Sequence, residues 1–355
     1  MNYPENIPFK LFATCKLTHG KYFSTITDLQ NQGIQPIPNS LLKILQEYQG
    51  MSIAEVKNLY TPNESTILDS YFSFLFENGY IFFTGNPEHF PEIEETWYAP
   101  EAIISAIFDF RHELTYDLTK VLHELNEFQC KHIQLRYFEI EDLDVIEGIL
   151  NALDGSTIIS VDLLMPYKGS ITFQDLSDLF KYPRLSGITV FNAESEESKS
   201  VEGKLATVEY SASNINNCSS CGKIDKRFFT ATLDFYTESK NFNSCLNRKI
   251  SIDENGLIKN CPSMIASYGH ANDTKLHDVI AQSEFVKFWQ IKKQDIKKCN
   301  ECPFRNACSD CRAYLEDPTD IYSAPLKCGF NHESQNWENW FHDPEKQQAI
   351  AYYKL

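Results

Sequence analysis

Nine of the eleven cysteines in this 355-residue chain lie after residue 217, and three pairs of them are separated by two residues. In Cys299-x2-Cys302-x5-Cys308-x2-Cys311, two such pairs follow one another closely. A CxxC turn lets two thiolates converge on one ion or cluster while adjoining backbone N–H groups stabilise their charge. Upstream, Cys245-x10-Gly256-x4-Cys261 brackets the alternating run Ile250–Ile258, broken by Asn255-Gly256. That pattern predicts a short hairpin with a primed turn, its two end thiols side by side. Cys328 follows a spacer containing Pro318 and Pro325, and Cys218-x2-Cys221 lies further upstream. Nine thiols suffice for two four-ligand sites with one to spare. The bland alternatives are inert buried thiols and structural zinc.

Composition narrows the classes. A disulfide framework suits small secreted proteins, whereas a thiol cluster in a reducing compartment more often means metal. The N-terminal segment has no basic stretch leading into an apolar run, and no later stretch approaches the ~18 apolar residues of a membrane helix. The expectation is a cytoplasmic protein without a membrane span. A formal charge of -17 repels phosphate backbones, and no basic stripe offsets it, which excludes nucleic acid as a ligand.

Length and 42% hydrophobic content allow two to three packed domains. Residues 1–95 read as a winged-helix-like unit. LFATCKLTHGKYFSTITDL suggests a hairpin turning at His19-Gly20, and helices are expected after Pro38, from Ser52 with Glu55 as a capping box, and from Pro62 to Asn78-Gly79. Tyr80–Phe83 reads as a strand. Over 96–215, strand candidates Ile103–Phe110, Ile133–Phe138, Ile158–Met165, Gly187–Phe191 and Leu205–Tyr210 alternate with helical stretches Asp117–Phe128, Leu143–Leu153 and Phe173–Phe180. The alternation predicts a parallel sheet with right-handed crossovers, too short for an eight-unit barrel and so a partial barrel or open sheet. Residues 216–335 form the cysteine-rich module, held more by ligation than by a core. Residues 336–355 read as a C-terminal helix packing back from Trp337 onward.

In order and nearly in spacing, Cys245, Gly256, Cys261, Cys299, Cys302, Cys308, Cys311 and Cys328 resemble the SPASM domain of radical SAM peptide-modifying enzymes. The strings CLNRKISIDENGLIKNCPSM and CNECPFRNACSDCRAYLEDP look more specifically like the SPASM-domain peptide maturase of grasp-with-spasm systems. PNSLLKILQEYQGMSIAEV followed by LFENGYIFF is similar to winged-helix elements that recognise leader peptides there. The resemblance implies two auxiliary [4Fe-4S] clusters, with zinc as the alternative metal. Cys299, Cys302, Cys308 and Cys328 would hold one. Cys245, Cys261 and Cys311 would hold the other, with Cys221 as fourth ligand and Cys218 as its substitute. It also implies a precursor peptide and an ATP-grasp ligase as partners.

One part of the family pattern is missing. The CxxxCxxC motif that leaves an iron open for S-adenosylmethionine should follow the first barrel strand, but Ile103–Phe110 runs into Arg111-His112-Glu113 without a cysteine. The glycine-rich element after the second strand is replaced by Arg136-Tyr137-Phe138-Glu139. His112 and Glu113 are conceivable replacement ligands or an acid/base pair, and equally a solvated loop. The implied fold is therefore α/β: a winged-helix-like peptide-recognition domain, a partial, degenerate radical-SAM-like β/α barrel without a SAM site, and a SPASM domain. The implied role is cluster binding and peptide delivery in ribosomal peptide modification. An active redox enzyme using the auxiliary clusters and a zinc-stapled interaction module are the alternatives, and no catalytic residue is identified.

Overall fold

The computed structural model of the chain describes residues 3–111 and 114–355. The N-terminal part opens with β1 (Phe9–Leu11), then an antiparallel meander of β2 (Cys15–Thr18), β3 (Ser24–Asp28) and β4 (Gly33–Ile37). Three helices follow: α1 (Asn39–Glu47), α2 (Ile53–Lys57) and α3 (Pro62–Glu77). Ser52 with Glu55, and Thr61 with Glu64, form reciprocal capping boxes, and Pro62 sits at the first position of α3, where its missing N–H is harmless. The chain leaves α3 through Asn78 and left-handed Gly79, and β5 (Ile81–Phe83) pairs with β1. One apolar core joins these pieces. Phe9, Ile26, Leu41, Leu45, Phe72 and Leu75 are fully enclosed, with the Phe9 and Phe72 rings edge to face at 5.0 Å.

The next part alternates β6 (Ser105–Phe110), α4 (Leu118–Glu127), β7 (His132–Tyr137), α5 (Asp144–Ala152), β8 (Ser160–Pro166), α6 (Phe173–Asp178) and β9 (Leu185–Phe191). β10 (Glu197–Ser200) and β11 (Thr207–Tyr210) complete one side of the sheet. Strand order is β10-β11-β9-β8-β7-β6, extended by β12 (Lys249–Ile252) and β13 (Ile258–Lys259). The pairings from β11 to β12 are parallel, while the two edge strands run antiparallel. Among the described residues the sheet is open, with no pairing that closes a barrel.

Its two faces differ. Phe108, Leu135, Leu163 and Ile188 share one register row and are buried in the same core as Val121, Leu125, Ile146 and Leu150 of the helices. On the other face Gln134 is half-buried and Asp162 exposed. Parallel sheets ordinarily bury both faces. Here the second face stays polar, and β12, the first strand of the cysteine hairpin, is joined edge to edge to β6.

The remainder holds α7 (Leu233–Asn241), α8 (Leu276–Ile280), α9 (Ser283–Val286) and α10 (Gln347–Tyr353), linked by long irregular stretches. The expected terminal helix from Trp337 is confined to α10. Pro344 and two short 3-10 turns precede it, Pro344 having no N–H with which to continue a helix. Among the described residues no helix is long and apolar enough to cross a membrane.

Candidate metal centres

The cysteine hairpin forms, with a different turn from the one its Asn-Gly suggests. Gly256 donates its N–H to Asp253 O at 2.9 Å, and Asp253 Oδ1 accepts from the N–H groups of Asn255 and Leu257, each at 3.0 Å. Within the turn only Gly256 has a positive φ, +79°. A primed turn needs a left-handed residue at one or both central positions, here Glu254 and Asn255, and neither is left-handed, so this is a type I turn followed by a glycine bulge, selected by the Asp253 carboxylate. A Cβ on Gly256 would lie 2.6 Å from His270 Nε2.

All eleven cysteines are free thiols. Nine of them converge from six stretches of chain, and their charges act on one another in separate sets. Burial pushes the Cys299 thiol up to about 12 and Cys308 to about 11, with Cys328 adding to both. Burial also drives Cys302 well above its ordinary value, reinforced by Cys299, Cys308 and Cys328. In the second set, burial raises Cys261, and Cys221, Cys245 and Cys311 push the same way. Cys311 is raised to about 12 by burial and then by Cys221 and Cys245. Gly222, at φ +83°, lets the Cys221 segment approach, since a Cβ there would meet Cys311 Sγ at 2.7 Å. Cys221 is itself exposed, and its charge acts on Cys245, Cys261 and Cys311. Cys218 stands beside it, its carbonyl accepting from Ser263 Oγ at 2.8 Å. Cys15 lies in the N-terminal core, and Cys130 donates to the carbonyls of Ile104 and His132.

Buried cations accompany both sets. Lys293, only 3% exposed, has Nζ 3.5 Å from Cys308 Sγ, 3.9 Å from Cys299 Sγ and 3.7 Å from Asp310 Oδ1. Asp310 is shared: Arg312 Nε stands 2.6 Å from Oδ2, and Asn243 Nδ2 donates to it at 2.7 Å. Two buried cations therefore meet one carboxylate, leaving one positive charge against the thiols. Burial acts to lower the Lys293 pKa, yet Cys299, Cys308, Asp310 and Cys328 together hold it well above its ordinary value. In the second set Lys249 Nζ is 3.7 Å from Cys245 Sγ, and Lys327 donates to the carbonyls of Ser219 and Cys221. None of these lysines is marked by sequence pattern; charged runs such as Lys292-Lys293-Gln294-Asp295 read as solvated surface. Asp310 could have been noticed, since it lies inside a CxxC.

Four thiolates on one zinc, each about 2.3 Å from the ion, stand about 3.8 Å apart. Among the described residues no group of three or more His, Cys, Asp or Glu side chains is gathered closely enough to hold a metal ion. Two sets of four thiols act on one another electrostatically, Cys299, Cys302, Cys308 and Cys328 in one and Cys221, Cys245, Cys261 and Cys311 in the other, a donor count that either a zinc ion or an iron–sulfur cluster takes. The donor chemistry fits as well: soft thiolates carrying buried positive charge in their surroundings. A cleft of about 730 Å³, lined by Cys299, Cys328, Phe330 and Trp340 among others, opens beside the first set.

At the carboxyl end of β6, Arg111 pairs with Glu254 at 2.8 Å and Glu139 at 3.1 Å and donates to Asn216 O at 2.7 Å. His112 and Glu113 lie outside the described residues. On the adjacent register row Arg136 Nε donates to Asp109 Oδ1 at 2.6 Å, both side chains buried. Among the described residues, Arg136 Nη2, Tyr116 OH and Tyr137 OH are buried without a hydrogen-bond partner. Burial works against the Arg136 charge, which Asp109, Cys221 and Cys261 raise.

No family model matches the chain, and no curated protein matches it. Among solved structures, SuiB of Streptococcus suis is 11% identical over 92% of this chain and 99% of that one, at a TM-score of 0.35. SuiB bound to S-adenosylmethionine gives 10% identity and 0.35, and SuiB bound to precursor peptide SuiA gives 11% and 0.30. Similarity of this size says nothing about what the chain binds.

Proposed function

We propose that this chain binds two [4Fe-4S] clusters in a reducing, cytoplasmic setting and serves ribosomal peptide modification, holding a precursor peptide for an ATP-grasp ligase. Cys299, Cys302, Cys308 and Cys328 would carry one cluster, and Cys221, Cys245, Cys261 and Cys311 the other. The observation that carries the metal reading is the buried positive charge left over among Cys299, Cys308, Lys293, Asp310 and Arg312. A neutral thiol is a weak acceptor and leaves a buried ammonium inadequately compensated; a thiolate-ligated cluster, anionic overall, supplies the missing countercharge. Such clusters can exchange single electrons when bound.

The peptide reading draws on the N-terminal unit, proposed here as residues 1–95. Its meander ends on an edge strand, β4, with partly exposed residues Gly33 to Pro36 beside the helices. An extended peptide can add to such an edge, although Pro36 removes one donor.

Iron and acid-labile sulfide should be measured on protein reconstituted without oxygen, with an anomalous map at the iron edge. The expectation is close to eight irons per chain, in two groups at the named cysteines. Zinc at two equivalents with little iron, in the anaerobic preparation, would replace this reading with a zinc-stapled module.

A further inference from the structure

We infer that Lys293 is the positioning residue that sets the reduction potential of the cluster at Cys299, Cys302, Cys308 and Cys328. The inference rests on the iron–sulfur reading above. Lys293 approaches that set from outside the ligand sequence, at the start of a short 3-10 turn, and its Nζ reaches two of the four sulfurs at 3.5 and 3.9 Å. Its charge is held in place by Asp310 at 3.7 Å, which is itself drawn on by Arg312 and Asn243. The ammonium is thus only partly neutralised by carboxylate, and its remaining hydrogen-bonding capacity is directed at sulfur.

Reduction adds an electron to a group that is already anionic. A nearby cation stabilises the reduced form more than the oxidised form, and it does so strongly where water is excluded. N–H donation to ligand sulfur acts in the same direction. The other set has Lys249 at 3.7 Å from a single thiol, Cys245, so the two centres are not electrostatic copies of one another.

The test is a spectroelectrochemical titration of reconstituted full-length protein, with iron and sulfide counted for each variant. The wave absent from Cys302→Ala belongs to the first site. Lys293→Met keeps length and packing but removes the charge and the donor. It should lower that site's reduced-to-oxidised ratio at fixed potential by at least tenfold, about 59 mV for one electron, while the second wave stays in place. Lys293→Arg should restore the wild-type midpoint. Loss of iron from the first site in Lys293→Met, recovered in Lys293→Arg, would make Lys293 a residue that holds the cluster rather than one that sets its potential, and overturns the inference. A wild-type midpoint with full iron in Lys293→Met overturns the inference, as does equal loss in both variants. Wild-type protein without iron at either site overturns the underlying reading instead.

Discussion

Substituting Arg136 by Met tests how the polar face of the sheet is held together. Asp109 and Arg136 are cross-strand partners whose side chains are 3% and 6% exposed, 2.6 Å apart. Removing one member of a buried pair typically costs about 3–5 kcal/mol, because the other charge stays behind uncompensated. Here the left-over group is a carboxylate, which can escape by taking a proton. Each pH unit above the unfolded value of about 3.9 makes that escape about 1.4 kcal/mol dearer, so the penalty is capped near 4 kcal/mol at pH 7 and near 1.5 kcal/mol at pH 5. Burial already pushes the Asp109 pKa up despite Arg136, so protonation is the accessible route. The sign follows: with a folded pKa raised above the unfolded one, the variant's deficit is absent at low pH and grows as pH rises. Urea unfolding of wild type and Arg136→Met at pH 5 and pH 7 reads it. Asp109→Asn is the control, since the stranded Arg136 cannot deprotonate and its deficit should not shrink at pH 5. A deficit for Arg136→Met below about 1 kcal/mol at pH 7, or equal at both pH values, refutes the reasoning.

Three further outcomes are expected. Cys302→Ala should lose about half the iron and leave the second centre's absorbance intact, whereas Cys15→Ala should retain all of it; full iron in Cys302→Ala would count against the ligand set. Burial raises the Cys15 and Cys130 thiols to about 12, so near pH 8 only about one in ten thousand of each is thiolate. Neither should react with iodoacetamide in folded protein over hours, though both should label in urea, as mass spectrometry of the peptides would record. Gly20→Ala should destabilise by about 1–3 kcal/mol through overpacking, because its Cβ would stand 2.4 Å from Phe23 O and 2.7 Å from Pro303 Cδ; an unchanged thermal midpoint would contradict that.

Periodicity made much of this architecture legible. The alternating strands and helices between 103 and 210 announce themselves because each strand buries one face and each helix one stripe, and local pattern records both. Capping boxes at Ser52 and Thr61 are readable for a similar reason: the partner is three residues away. What could not be read depends on distant partners. β4 contains Pro36, which argues against a strand until β4 is seen to be an edge strand beside β3, where a missing N–H is tolerated. The pairing of β12 with β6 joins Lys249 to Ser105 from a distant part of the sequence, and nothing in either segment specifies it. Among the thiols, spacing separated Cys15 and Cys130 from the rest. It left Cys218 and Cys221 undecided, because which of two neighbouring thiols acts on Cys261 and Cys311 depends on how distant segments fold together. Lys293, Lys249 and Arg136 were invisible as site residues because a buried charge is recognisable only by what surrounds it.

The loop from Cys302 to Cys308 ties the N-terminal unit to the proposed first centre. Thr25 Oγ1 donates to Pro303 O at 2.8 Å and Asn306 Nδ2 to Thr18 Oγ1 at 3.2 Å, and just before the loop Glu301 O accepts from Lys21 N at 2.9 Å. Arg305 donates to His19 O, and the Phe23 ring meets Phe304 edge to face at 5.7 Å. From the opposite side Ser239 Oγ of α7 donates to Asn306 O at 3.0 Å. Both ends of this loop are thiols of one set, and its middle is the docking surface of the meander. Ligation energy spent on ordering Cys302 and Cys308 therefore also orders the seat of the N-terminal unit. The same linkage runs in reverse, so a variant that lifts the meander off this loop, such as Gly20→Ala, should release iron from the first centre to a chelator sooner than from the second.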